Sequence, residues 1–290
     1  MINKIKFILK LLIPPFIVIF YEKCRWGSSS PNAFRGVYKN FEEVPISFNY
    51  NNKTSQNEVH NNLVQLIADH KKNIYHVNER SQITNLLPLL LSLIDNEKIS
   101  LLDFGGGAGE TYIDYINKLK TKKIIDYYLY DFEETTQIGK RLFLDFHHEY
   151  SNIKFINAVS EIKSCDIVYL GSSLQYFPDY KSILLTLISK NPRYILITDN
   201  FLTKNHKTYV TVQVNMSQRN IPCWIFNFDE IVSFLSKNNY GLIYSSSNFQ
   251  PLFNLENFPD DFKVTDSSNL LFEKNIISNS EKIRTESARG

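Results

Sequence analysis

Cysteine is scarce in this chain of 290 residues. Cys24, Cys165 and Cys223 stand far apart, with no CxxC pair and no Cys/His spacing of a zinc site. An odd, scattered set excludes a disulfide framework and fits a reduced, intracellular protein; nothing in the sequence points to a metal. An excess of one charge is also missing. Lys and Arg number 32 against 30 Asp and Glu, the net charge is +2, and the basic residues are spread along the chain. That removes the electrostatic footprint of a nucleic-acid binder. There are no internal repeats. The N-terminal apolar run, Leu11–Tyr21, falls short of the ~20 residues that span a bilayer, and Pro14 and Pro15 interrupt it. It ends at Glu22-Lys23 without the small residues of a signal-peptide cleavage site. Two readings of it stay open. One is a segment packed on the body of the protein. The other is peripheral contact with a membrane, Lys4, Lys6 and Lys10 lying near headgroups. The expected location is cytoplasmic, with the inner membrane face as the second reading.

What is present suffices for one sizeable core, at 43% apolar and 14% aromatic residues. Residues 25–45 (RWGSSSPNAFRGVYKNFEEVP) read as irregular connection, and the polar 51–58 as exposed. Two helices are expected from Asn57 to about Asp95, the second carrying Pro88. Then short apolar runs alternate with helical patterns. Strands are expected at ISLLDF, IIDYYLYD, NIKFINAV, CDIVYLGSS and RYILITDN, and a final pair at YGLIYSSSN and SNLLFEKN. This predicts an α/β fold: a mostly parallel, seven-stranded, Rossmann-like sheet with helices on both faces. The expected division is 1–56 apolar segment and irregular region, 57–95 helical cap, 96–275 catalytic domain and 276–290 polar tail.

Directly behind the first predicted strand, LLDFGGGAGETY places four glycines within residues 105–109. Ligands of such sheets sit beyond the carboxyl ends of the strands, where this loop lies. Glycine there lets a ligand touch backbone, and the helix that follows at once offers free N–H groups. The spacing fails the dinucleotide fingerprint GxGxxG: counted from Gly105 the last position is Glu110, and from Gly107 it is Tyr112. A P-loop's Gly-Lys-Ser/Thr is absent, and an acid at the helix start repels phosphate. What fits is DxGxGxG: Asp103, Gly105, Gly107 and Gly109. Asp131 closes the next strand, where a carboxylate accepts from ribose hydroxyls. The other reading of Asp131 is a cap for the following helix. LGSSLQYFPDY follows the fourth strand.

These motifs resemble those of the class I S-adenosylmethionine-dependent methyltransferases, whose cofactor carries a sulfonium and an ammonium but no phosphate. A narrower resemblance is to a family of bacterial methyltransferases associated with surface-polysaccharide gene clusters. It rests on IPPF, WGSSSPNAFRGVYKNFEE, LDFGGGAG with its extra Gly106, YDFEETTQIGK, SSLQY and TVQVNMSQRNIPCWIF, from about Pro14 to Tyr244. There are departures. Asp199-Asn200 stands where many relatives have Arg. Asn157-Ala158-Val159-Ser160 lacks the acid that many class I enzymes offer to adenine.

The resemblance implies S-adenosyl-L-methionine as cofactor, held by Asp103, Gly105, Gly106, Gly107, Gly109, Asp131, Phe132, Ser173 and Gln175. It implies a small-molecule or sugar acceptor, in polysaccharide biosynthesis. Tyr176 and His206 are the candidate catalytic residues, His206 lying in a stretch after the fifth strand that is expected to act as a lid. The Thr208–Phe226 tract, with Gln213, Arg219 and Trp224, is expected either to close over an acceptor or simply to pack. His60, His70 and His76 lie in the helical N-terminal part, and His147 and His148 are expected at the surface. Two other functions stay open: a nucleotide-dependent oxidoreductase on the same sheet, and a non-catalytic scaffold.

Overall fold

The computed structural model describes residues 33–44, 53–72, 86–119, 123–145, 152–216, 219–249, 255, 258–264 and 266–275. The N-terminal apolar segment, His76, His147, His148 and the C-terminal tail lie outside these. In chain order the elements are β1 (Ala33–Tyr38), α1 (Lys53–Lys71), α2 (Leu86–Leu93), β2 (Lys98–Phe104), α3 (Glu110–Lys118), β3 (Ile124–Tyr130), α4 (Glu133–Asp145), β4 (Ile153–Phe155) and β5 (Ile167–Gly171). Then come α5 (Tyr180–Ile188), β6 (Tyr194–Thr203), β7 (Tyr209–Met216), β8 (Arg219–Asn227), α6 (Phe228–Lys237), β9 (Tyr240–Phe249) and β10 (Asp266–Lys274).

The seven expected strands form one sheet in the order β4-β3-β2-β5-β6-β10-β9. The first five are parallel, and β10 runs antiparallel to both its neighbours. Successive side chains on a strand point to opposite faces, so each strand feeds two cores. Ile99 and Leu101 of β2 pack with Leu63 and Ile67 of α1, Leu87 and Leu91 of α2, and Ile113 of α3. Leu102 and Phe104 pack on the other face with Leu184 and Leu187 of α5 and Ile231 and Leu235 of α6. Burial on both faces is why these strands read as unbroken apolar runs. No helix of the described residues is long and apolar enough to cross a membrane.

Three strands go beyond the seven and correct the expectation. Residues 33–38, read as irregular, form β1, which pairs antiparallel with β7. The Thr208–Phe226 tract, expected either to close over an acceptor or to pack, forms the β7–β8 hairpin, and His206 lies just before it. The hairpin joins the main sheet through parallel pairing of Leu202 with Phe226 and Thr203 with Asn227, giving a sheet of ten strands among the described residues. In β1 the pairing register shifts between Arg35 and Tyr38, around Gly36 at φ +73°. A bulge of that kind breaks the alternation by which a strand is recognised. The polar stretch read as exposed from residue 51 already contains the start of α1, at Lys53.

Candidate functional site

The strand β2 pairs with β3 on one side and β5 on the other, which makes its carboxyl end the switch point of the sheet. The glycine loop begins there. The N–H groups of Gly105 (2.7 Å) and Gly106 (3.4 Å) donate to the Tyr130 carbonyl, which anchors the loop to the end of β3. Gly105 lies at φ +80°, and a Cβ on it would overlap the Cβ of Ser173. Ser173 is buried and donates from Oγ to the Phe104 carbonyl at 2.7 Å. The loop after β5 is thereby pinned against the loop after β2. Gly109 N–H closes the turn on Gly106 O at 3.3 Å.

Three carboxylates converge on this loop. Asp131 Oδ2 accepts from Gly107 N–H at 2.7 Å, and its Oδ1 accepts from Phe132 N–H at 2.6 Å. Neither bond reaches the first turn of α4, so the helix-cap reading of Asp131 fails. Glu110 Oε2 accepts from Ala108 N–H at 2.9 Å. Asp103 is buried; its Oδ2 accepts from the Tyr127 hydroxyl, and its Oδ1 has no partner. Among the described residues none of the three is in an ion pair. Burial pushes the Asp103 carboxyl up to about 7, the Tyr127 bond opposing and the charges of Asp131 and Glu110 adding to the rise. Burial likewise raises Glu110 and Asp131, and the backbone N–H bonds to each carboxylate work the other way.

The folded Asp103 holds a proton that the unfolded chain releases near pH 4, so the ligand-free protein is favoured at low pH. Its stability falls as pH rises from about 4 to about 7 and levels off above that, by at most about 1.4 kcal/mol per pH unit. Urea unfolding at pH 5 and pH 8 measures it. Asp103→Asn is expected to lower the slope, leaving the same-signed part from Glu110 and Asp131, and an unchanged slope in that variant would remove Asp103 as a source.

Beyond β5, Leu174–Tyr176 form a short 3-10 turn. Gln175 is buried; its Nε2 donates to Ser172 Oγ at 3.1 Å and its Oε1 has no partner. Tyr176 donates from its hydroxyl to Gln213 Oε1 of β7 at 2.7 Å. In β6, just past the level at which β5 ends (Gly171 pairs with Thr198), Asp199 lies at φ +55° and donates from its N–H to Asn269 Oδ1, and buried Asn200 Oδ1 has no partner. Three buried acceptors without donors, on Asp103, Gln175 and Asn200, thus stand near the carboxyl ends of adjacent strands. Phe132 is exposed beside Asp131.

The sequence-predicted residues therefore divide. Asp103, the loop glycines, Asp131, Phe132, Ser173 and Gln175 stand at the ends of β2, β3 and β5. His206 is held elsewhere: its ring stacks on Phe262 at 3.9 Å between centroids. Tyr176 and Phe262 flank the same small apolar cluster, which includes Phe201 and Tyr209, but no hydrogen bond joins the His206 ring to another candidate among the described residues. Trp224 packs against Phe41 and Tyr180 and donates to the Phe177 carbonyl, as a structural residue does. His60 and His70 lie on α1. Where the tract after β4 lacks the expected acid, Glu161 Oε1 accepts from the N–H groups of Asn157 and Ala158 and so fixes that turn. Tyr127, the partner of Asp103, was not singled out by the sequence; the signal available was its place on the buried face of β3, where a hydroxyl needs an acceptor. No group of three or more His, Cys, Asp or Glu among the described residues has metal-holding geometry.

No protein-family model matches the chain, and no curated protein does. Solved structures resemble it at low identity. Magnesium protoporphyrin IX methyltransferase from Synechocystis PCC 6803, with bound S-adenosylhomocysteine, is 12% identical over 76% of this chain and 100% of its own, at a TM-score of 0.49. The 1,6-didemethyltoxoflavin-N1-methyltransferase of Burkholderia thailandensis is 13% identical over 80% of this chain and 95% of its own, at 0.49. An S-adenosylmethionine-dependent methyltransferase from Clostridium acetobutylicum ATCC 824 is 10% identical over 75% of this chain and 99% of its own, at 0.45.

Proposed function

We propose that this chain is an S-adenosyl-L-methionine-dependent methyltransferase acting on a small-molecule acceptor, with sugars and surface-polysaccharide precursors the class that the sequence resemblance favours. The observation that carries the reading is the acid cluster. Asp103, Glu110 and Asp131 surround a loop of close-approach glycines, without a basic partner among the described residues and without metal-holding geometry. Such a site suits an organic cation and repels a pyrophosphate. The orphaned acceptors of Asp103, Gln175 and Asn200 ask for donors, which an ammonium and hydroxyls supply.

In this reading the glycine loop takes the methionine part of the cofactor, Asp131 its ribose and Phe132 the adenine side. When bound, the cofactor supplies an activated methyl group. To use it, this chain would have to align an acceptor nucleophile with that group. The chain's own part is alignment and exclusion of water. Tyr176 is fixed by the hydrogen bond that its hydroxyl donates to Gln213. Its role is to orient the acceptor. His206 stacks on Phe262, which borders the same apolar cluster as Tyr176, and is the candidate base on that side.

The test is calorimetric titration of the full chain with S-adenosylhomocysteine, and with NADH in parallel. Micromolar binding of the first alone is expected, followed by methyl transfer to an acceptor from a panel of sugars. Binding of NADH alone would replace this reading with an oxidoreductase; cofactor binding without transfer to any acceptor would replace it with a scaffold.

A further inference from the structure

A second cleft, of about 470 Å³, opens at the carboxyl ends of β6 and β9, beside Phe228 at the start of α6. It lies three strands across the sheet from β2, roughly 14 Å by strand spacing, and is separate from the glycine loop. Its volume is in the range of small-molecule sites. Its lining is unlike the acid cluster. Ser245 and Ser247 of β9 and Ser268 of β10 form a floor of hydroxyls, with Ser247 directly opposite Ser268 in the pairing. These three hydroxyls make no hydrogen bond among the described residues.

Lys204, Lys263 and Asp266 are the charged residues of the lining. Lys204 carries its ammonium over the Phe228 ring at 5.2 Å. Lys263 pairs with Asp260, whose side chain is 92% exposed. A surface ion pair of that kind holds its lysine weakly, so the ammonium is available to a stronger anion. Cations and hydroxyls in one lining match a ligand that is anionic at one end and hydroxylated at the other.

We infer that this cleft binds a phosphorylated polyol, the two ammoniums taking the phosphoryl group and the serine floor the hydroxyls. Its naming as the anchoring end of an acceptor site rests on the methyltransferase reading; the binding itself does not. The experiment is calorimetry of the full chain with glucose 6-phosphate, glucose and inorganic phosphate as probes. Glucose 6-phosphate is expected to bind, glucose to give no heat, and inorganic phosphate to bind about tenfold more weakly. Both lysines are solvent-exposed, so the doubly substituted Lys204→Ala/Lys263→Ala protein is expected to fold. It should bind glucose 6-phosphate at least about tenfold more weakly, with its affinity for S-adenosylhomocysteine unchanged. Absence of glucose 6-phosphate binding at millimolar concentration, or binding unaffected in the variant, would overturn the inference. Inorganic phosphate binding as tightly as the sugar phosphate would overturn the polyol assignment. Absence of S-adenosylhomocysteine binding by the wild-type protein, with glucose 6-phosphate still bound, would count against the methyltransferase reading and leave this one standing.

Discussion

Replacing Gly139 by alanine is expected to destabilise the protein by about 2–3 kcal/mol and to weaken cofactor binding with it. In an exposed helix the same change stabilises by about 1 kcal/mol, because glycine is a poor helix former. Here the sign reverses. Gly139 is buried in α4, and a Cβ on it would overlap the Ala108 carbonyl oxygen and stand 2.7 Å from the Phe155 ring. The ring can turn aside; the carbonyl belongs to the glycine loop and moves only if the loop moves. Relief of the overlap therefore displaces Ala108, whose N–H is held by Glu110, and with it the backbone that Asp131 holds at Gly107. Thermal unfolding reads the first effect, at about 2–4 °C per kcal/mol for a chain of this size, and titration with S-adenosylhomocysteine reads the second. Adding Phe155→Leu is expected to restore little. A melting temperature that rises on Gly139→Ala would show that α4 and the loop are not in contact at this point.

The same contact marks the limit of what the sequence disclosed. The strands of the central sheet were legible because both faces are buried, so LLDF, IVYLG and YILIT read as apolar runs with helical patterns between them. The loop was legible because glycines at that spacing, behind a strand and ahead of a helix, have few other uses. Gly139 was not, since nothing local to α4 shows that it touches a loop 31 residues earlier in the chain. The β1–β7–β8 extension was hidden by Gly36, which breaks the alternation of β1, and by the polar residues of the hairpin. Thr211, for example, is fully buried and donates at 3.4 Å to the Arg35 carbonyl, a role its side chain does not announce. For Asp131 the sequence left two readings, ribose acceptor or helix cap. Geometry removed the second, because both its oxygens accept from N–H groups outside the first turn of α4. His206 was reachable only as a histidine after the fifth strand; its stacking partner Phe262 comes from a distant part of the chain.

Asp131→Ala is expected to weaken binding of S-adenosylhomocysteine at least about tenfold while leaving the fold intact. The carboxylate already accepts one N–H on each oxygen, and each oxygen has a second lone pair for a ribose hydroxyl. Removing it therefore has two consequences that need separating. One is a looser loop, because Gly107 and Phe132 lose their acceptor. The other is the loss of hydrogen bonds to ribose. A double cycle distinguishes them. Wild-type protein is expected to bind 2′-deoxy-S-adenosylhomocysteine more weakly than the parent compound, and the Asp131→Ala variant to bind the two alike. If the variant still prefers the parent by the wild-type ratio, Asp131 acts on the loop alone, and the ribose contact has to be sought elsewhere at the end of β3. If the dissociation constant for the parent compound does not change at all, the glycine loop is not where this cofactor sits.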